Sequence, residues 1–85
     1  MVVVILPSML ATEANGRSRF ELDAATVEEA LRALPVADLL FDERGGLRRL
    51  VNVYVDGVDV RERGGLDSAL GGTETMRLVA AIAGG

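Results

Sequence analysis

The chain has 85 residues, 49% hydrophobic and 26% charged, which describes one small globular domain with a single core. It has no cysteine, histidine or lysine, which rules out disulfides, thiolate or imidazole metal sites, Ser-His or Cys-His nucleophile pairs and Schiff bases. A net charge of −4 opposes non-specific binding to nucleic acid or to an anionic membrane, so the expected partner is a protein.

Val2 to Leu6 is a continuous run of β-branched and aliphatic residues stopped by Pro7. That pattern suits a central strand. The run is short and lacks a basic start, so it does not read as a signal peptide, and a cytoplasmic location is expected. Ser8 to Gly16 is expected to be a loop. Ser18 to Asp23 alternates, with Phe20 and Leu22 on one face and Arg19, Glu21 and Asp23 on the other, and is expected to pair back on the first strand.

Thr26-Val27-Glu28-Glu29 fits a capping box, and Val27, Ala30, Leu31 and Leu34 at i, i+3, i+4 and i+7 form one apolar helical stripe that Pro35 ends. Val36 to Phe41 reads as a helical turn covering one end of the core, and Asp42 to Gly46 as a loop. Leu50 to Val55 is strand-like. Asp56-Gly57 predicts a type I′ hairpin turn, because both of its central positions need φ > 0, and Val58 to Val60 follows as a short edge strand. Leu66 to Leu70, between two glycine pairs, predicts one helical turn plugging the core. Met76 to Ile82 is the last strand. The predicted class is α+β: a mixed sheet of about five strands, the first and last parallel at its centre, with one main helix on one face. That is the ubiquitin-like β-grasp arrangement, spanning residues 1–85 as a single domain with a flexible Gly-Gly tail.

Strand alternation puts Val2, Val4, Leu6, Phe20, Leu22, Val51, Val53, Val55, Met76 and Leu78 toward the helix. The other face carries Val3, Ile5, Leu50, Asn52, Tyr54, Arg77, Val79 and Ala81, much of it apolar, and is the candidate partner interface. Tyr54, the only tyrosine, is its best single contact residue, since an amphipathic ring suits a wet interface. Arg48 and Arg49 read as solvating a strand end. The glycine pairs Gly45-Gly46, Gly64-Gly65 and Gly71-Gly72 lack the strand-to-helix setting of a nucleotide loop. The 13 carboxylates show no pattern of a paired acid and base.

Ala83-Gly84-Gly85 ends the chain without a bulky side chain. A segment of this kind can thread a slot closed to other residues, and its last carbonyl is open to attack from either side.

The run Leu47-Arg48-Arg49-Leu50-Val51-Asn52-Val53-Tyr54-Val55-Asp56-Gly57 and the ending Ala81-Ile82-Ala83-Gly84-Gly85 resemble the MoaD/ThiS family of sulfur carriers, and within it the cysteine-biosynthesis branch. Pro7 after the first strand, Thr26-Val27 opening the helix, Asp59-Val60-Arg61 and Gly65-Leu66 extend the resemblance over nearly the whole chain. It implies a carrier, not an enzyme. An E1-like adenylyltransferase would bind the sheet face and join the Gly85 carboxylate to AMP, with Ala83 and Gly84 as tail. A sulfurtransferase or other sulfur donor would then leave a thiocarboxylate on Gly85. A downstream sulfur-accepting enzyme, such as a PLP-dependent cysteine synthase or a molybdopterin-synthase large subunit, would consume it. No cofactor would be bound by this chain, ATP and magnesium being consumed by the activating enzyme, and no metal site is expected.

The alternative is a ubiquitin-like modifier conjugated through Gly85 to lysines of other proteins. Two departures from the family pattern stand out. Gly72-Thr73-Glu74 replaces the usual Gly-Asp before the last strand, and Ala80 replaces a proline ahead of the tail.

Overall fold

The computed structural model describes residues 1–80. Five strands form one sheet: β1 (Val2–Ile5), β2 (Arg19–Leu22), β3 (Val51–Val55), β4 (Val58–Asp59) and β5 (Thr75–Ala80), in the order β2-β1-β5-β3-β4. β1 and β5 run parallel at the centre and every other neighbouring pair is antiparallel. This is the β-grasp topology that the element order predicts. Helices α1 (Ser8–Glu13), α2 (Val27–Arg32) and α3 (Ala37–Leu40) supply the helical layer.

Alternation along the strands decides which face meets the helices. Val2, Val4, Val53, Val55, Met76 and Leu78 are fully or almost fully buried, with Phe20 and Val51 close behind and Leu22 half-buried at the margin. They pack in one cluster with Leu10, Ala11, Val27, Ala30, Leu31, Leu34, Val36 and Leu40. Each fully buried aliphatic side chain of this kind contributes about 1.5–3 kcal/mol.

The segment expected to be a loop at Ser8 to Gly16 is instead helical over α1. Leu10, Ala11 and Ala14 recur at helical spacing and all three are buried. The Pro7 carbonyl accepts from the amides of Leu10 and Ala11 at 3.0 and 2.9 Å, so the residue that ends β1 also opens the helix. Asn15 and Gly16, at φ +59° and +84°, end it, with the Gly16 amide donating to the Ala11 carbonyl at 2.8 Å.

The Thr26 hydroxyl accepts from the Glu29 amide at 3.2 Å, the first half of the capping box. The second half is displaced by one residue: Glu29 Oε1 accepts from the amide of Ala25, at 3.4 Å. Thr26→Ala should lower unfolding free energy by about 1 kcal/mol in urea titrations; an unchanged midpoint would show that the cap contributes nothing here. α2 itself is only six residues long, since Leu34 already turns in a tighter i→i−3 bond to Leu31 (3.2 Å) before Pro35. The single main helix of the expectation is therefore one of three short ones.

The hairpin turn follows its prediction, with Asp56 at φ +48° and Gly57 at +86°. β4 stops at Asp59 and not at Val60, because the Asp59 carboxylate accepts from the Arg61 amide at 2.9 Å and starts a 3₁₀ turn over Val60–Glu62. The expected turn around Leu66 to Leu70 is a 3₁₀ turn at Gly65–Asp67. It is tied to the start of α2 by bonds from the Val27 amide to the Ser68 carbonyl (3.0 Å) and from the Leu70 amide to the Ala25 carbonyl (2.9 Å). Leu66 and Leu70 pack half-buried on the core from there.

Candidate functional site

All three helices lie on one side of the sheet, so its other face is built by the odd residues of β1, β2 and β5 and the even ones of β3. The strand registers align Arg19, Ile5, Arg77, Tyr54 and Asp59 in one row across the five strands. Glu21, Val3 and Thr75 form a second row, and Asn52 opposes Val79 in a third. Val3, Ile5, Asn52 and Tyr54 are half-buried by their neighbours, while Arg77 and Val79 stand exposed.

Of the residues expected on this face, Leu50 stands apart. It sits in the turn before β3 and is 50% exposed at the end of the sheet where β5 leaves. Ala81, Ala83, Gly84 and Gly85 lie outside the described residues.

Two of the arginines on the face sit in closed units. Arg19 pairs with Glu21 two residues along the same strand. Arg61 reaches back over β4, donating from Nε to Asp59 Oδ1 at 3.1 Å and from Nη2 to Asp59 Oδ2 at 2.8 Å, and also from Nη2 to Asn52 Oδ1 at 2.7 Å. The side-chain bonds from Arg61, followed by the bond from its amide, hold the Asp59 carboxyl below its ordinary value, and Asp59 in turn raises the Arg61 guanidinium. Asn52 is thereby occupied within the chain's own surface. Sequence reading placed it on the face without seeing that bond. The Asp59-Val60-Arg61 spacing was its available signal, since a short acidic side chain before a turn both caps it and meets an arginine two positions on.

A second feature lies where β5 ends. Met9 of α1, Leu39 of α3 and Leu50 are each about half-exposed, and with Leu10, Val51 and Ala80 they line a groove of about 630 Å³ edged by Glu13, Asp42, Arg48 and Arg49. Reading α1 as a loop concealed Met9, and the groove with it. The loop below is held by Asp42, whose Oδ1 accepts from the amides of Arg44 and Gly46 at 2.9 and 3.0 Å.

Both departures from the family pattern have a visible local outcome. Ala80 continues β5, paired with Val51 on β3, whereas proline there would fix φ and remove an amide. Glu74 folds its carboxylate over the preceding turn and accepts from the amides of Gly71 (2.6 Å), Gly72 (2.8 Å) and Thr73 (3.1 Å). These bonds, the one from Gly71 first, lower its pKa from 4.5 to about 2. The turn that launches β5 is thus wrapped around an internal anion. Asp56 secures the same end of the strand, its Oδ1 accepting from the Thr75 amide at 3.0 Å. Among the described residues no helix is long and apolar enough to cross a membrane.

No protein-family model matches the chain. The sulfur carrier protein CysO of Mycobacterium tuberculosis H37Rv is 30% identical to it over 91 aligned residues, covering 99% of this chain and 98% of the relative. The crystal structure of M. tuberculosis CysO superposes with a TM-score of 0.84 at 26% identity, over 96% of this chain and all of that one. The CysO of the Amycolatopsis orientalis BexX/CysO complex also gives 0.84, at 31% identity over the whole of both chains. With a full-length relative at that identity and the β-grasp sheet in place, the chain belongs to the MoaD/ThiS-like family of ubiquitin-like sulfur carrier proteins.

Proposed function

We propose that residues 1–85 act as one carrier domain whose Gly85 carboxylate is adenylated by an E1-like enzyme and then converted to a thiocarboxylate. The full-length identity with curated sulfur carriers is the observation that carries this reading. The chemistry follows from a simple deficiency. A carboxylate is a poor acyl donor, so one of its oxygens attacks the α-phosphorus of ATP and expels pyrophosphate, giving acyl-AMP. A sulfur nucleophile at the oxidation level of sulfide then attacks the acyl carbon, and AMP leaves. The product is a tethered, nucleophilic sulfur for cysteine, molybdopterin, thiamine or another sulfur metabolite.

The carrier's own part is to be recognised and to present the acyl group. β5 supports this by leaving the sheet from a central position, so that a partner on the free face lies alongside the departing strand. The A. orientalis CysO structure is a complex, and by analogy this chain is read as docking on an adenylyltransferase, a sulfur donor and a sulfur-accepting enzyme in turn. Intact-mass measurement tests the proposal. Incubated with its host's adenylyltransferase, ATP, magnesium and sulfide, the full chain should exchange one terminal oxygen for sulfur, and the chain lacking Gly85 should not. An unchanged mass for the full chain, with an enzyme active on another carrier, would overturn the reading.

A further inference from the structure

The free face of the sheet contains three guanidinium groups, and two of them are already satisfied. Arg19 is paired with Glu21, and Arg61 is closed on Asp59 and Asn52. Arg77 has no ion pair and no hydrogen bond among the described residues, and its side chain is exposed. Its position makes this significant. β5 is the middle strand of five, and the register sets Arg77 directly between Ile5 on β1 and Tyr54 on β3. Val79, 40% exposed, follows two residues nearer the exit.

The chain has 13 acidic residues against 9 basic ones, yet among the described residues the cation at the centre of this face has no anion paired with it, and its cross-strand neighbours are apolar or aromatic on both sides. In water that arrangement is harmless. Beneath a docked protein it is not, because a desolvated guanidinium without a counter-charge is strongly unfavourable. A surface that covers this face must therefore bring an anion to its centre. The same layout argues against a polyanion such as nucleic acid, which needs several free cations along a track.

We propose that Arg77 is a specificity-determining residue that receives a carboxylate of the activating adenylyltransferase, set within an apolar rim that meets Ile5, Tyr54 and Val79. The inference rests on the carrier reading above and adds the chemistry of the docking partner. Arginine suits the role because its planar fork takes a carboxylate through two parallel hydrogen bonds and fixes register as well as affinity. A carrier surface with a neutral residue at this position would lack that selection.

The test uses the full chain and the host adenylyltransferase, with initial rates of carrier-dependent pyrophosphate release from ATP measured against carrier concentration. Arg77→Ala should raise KM by about tenfold, and Arg77→Glu by more, because a like charge then faces the partner's carboxylate. The effect should fall on KM and leave kcat nearly unchanged, and Arg77→Lys should recover part of the loss. KM of the unsubstituted chain should climb with ionic strength more steeply than that of Arg77→Ala. Because Arg77 is exposed, all three variants should melt with the parent chain, which separates docking from folding. Equal KM values for Arg77→Glu and the parent would overturn the inference alone. Failure of the parent chain to be adenylated would overturn the carrier reading and this inference together.

Discussion

Leu31→Ala is expected to destabilise the domain by about 3 kcal/mol, read as a fall of roughly 12–24 °C in melting temperature for a chain of this size. Leu31 is completely buried in the last turn of α2 and belongs to the one cluster that joins the helices to the sheet. Truncation removes its transfer free energy and leaves a cavity that the surroundings can close only in part. Among the described residues the helical layer consists of three short α-helices, of six, six and four residues, each too short to be stable without tertiary packing. A loss at Leu31 is therefore not shared with a long neighbouring element. Against a total stability of about 4–13 kcal/mol for 85 residues, this is a large fraction. Leu39→Ala, at a side chain 43% exposed on α3, should cost far less. Comparable melting temperatures for the two variants would show that the core is not organised around α2.

Glu74→Gln is expected to change the pH dependence of stability. The native carboxylate has a pKa of about 2 against an ordinary value of 4.5. Its stabilising contribution is fully present above about pH 4.5 and is lost as pH falls toward 2. The variant lacks the charge at all pH values, so it should be less stable than the parent at pH 7, and the gap should narrow through that acid window. Glu74 is only half-buried, so salt should also reduce the gap. Urea midpoints at pH 7, 4 and 2 make the comparison, with the other carboxylates cancelling between the two proteins. A gap that stays constant with pH would mean that the three amide bonds to Glu74 do not stabilise the folded turn.

The sheet was legible in the sequence because its signals are local and strong. The apolar run of β1, the alternation of β2 and β3 and the Asp56-Gly57 turn each have a period or a backbone requirement that admits few alternatives. The free face followed from the same alternation. α1 was not legible, since a six-residue helix opened by proline has fewer than two turns of periodicity, and the two positive-φ residues that follow it, Asn15 and Gly16, resemble loop chemistry. The groove at Met9, Leu39 and Leu50 was hidden for the same reason, because it joins three segments distant in sequence. The bond between Arg61 and Asn52 links residues nine positions apart across a hairpin and a 3₁₀ turn, a distance that depends on where β4 stops. The solitude of Arg77 could be recognised only once Arg19 and Arg61 had found their partners.

The central place of β5 also has a mechanical consequence. In the proposed carrier cycle, a partner that draws in the residues beyond Ala80 would pull along the axis of a strand bonded to β1 on one side and β3 on the other. Such tension loads both ladders in shear, with their bonds sharing the force at once, whereas an edge strand would peel away bond by bond. Under the proposed carrier cycle, a fold strung in this way withstands a pull at each visit to an enzyme and keeps its shape for the next.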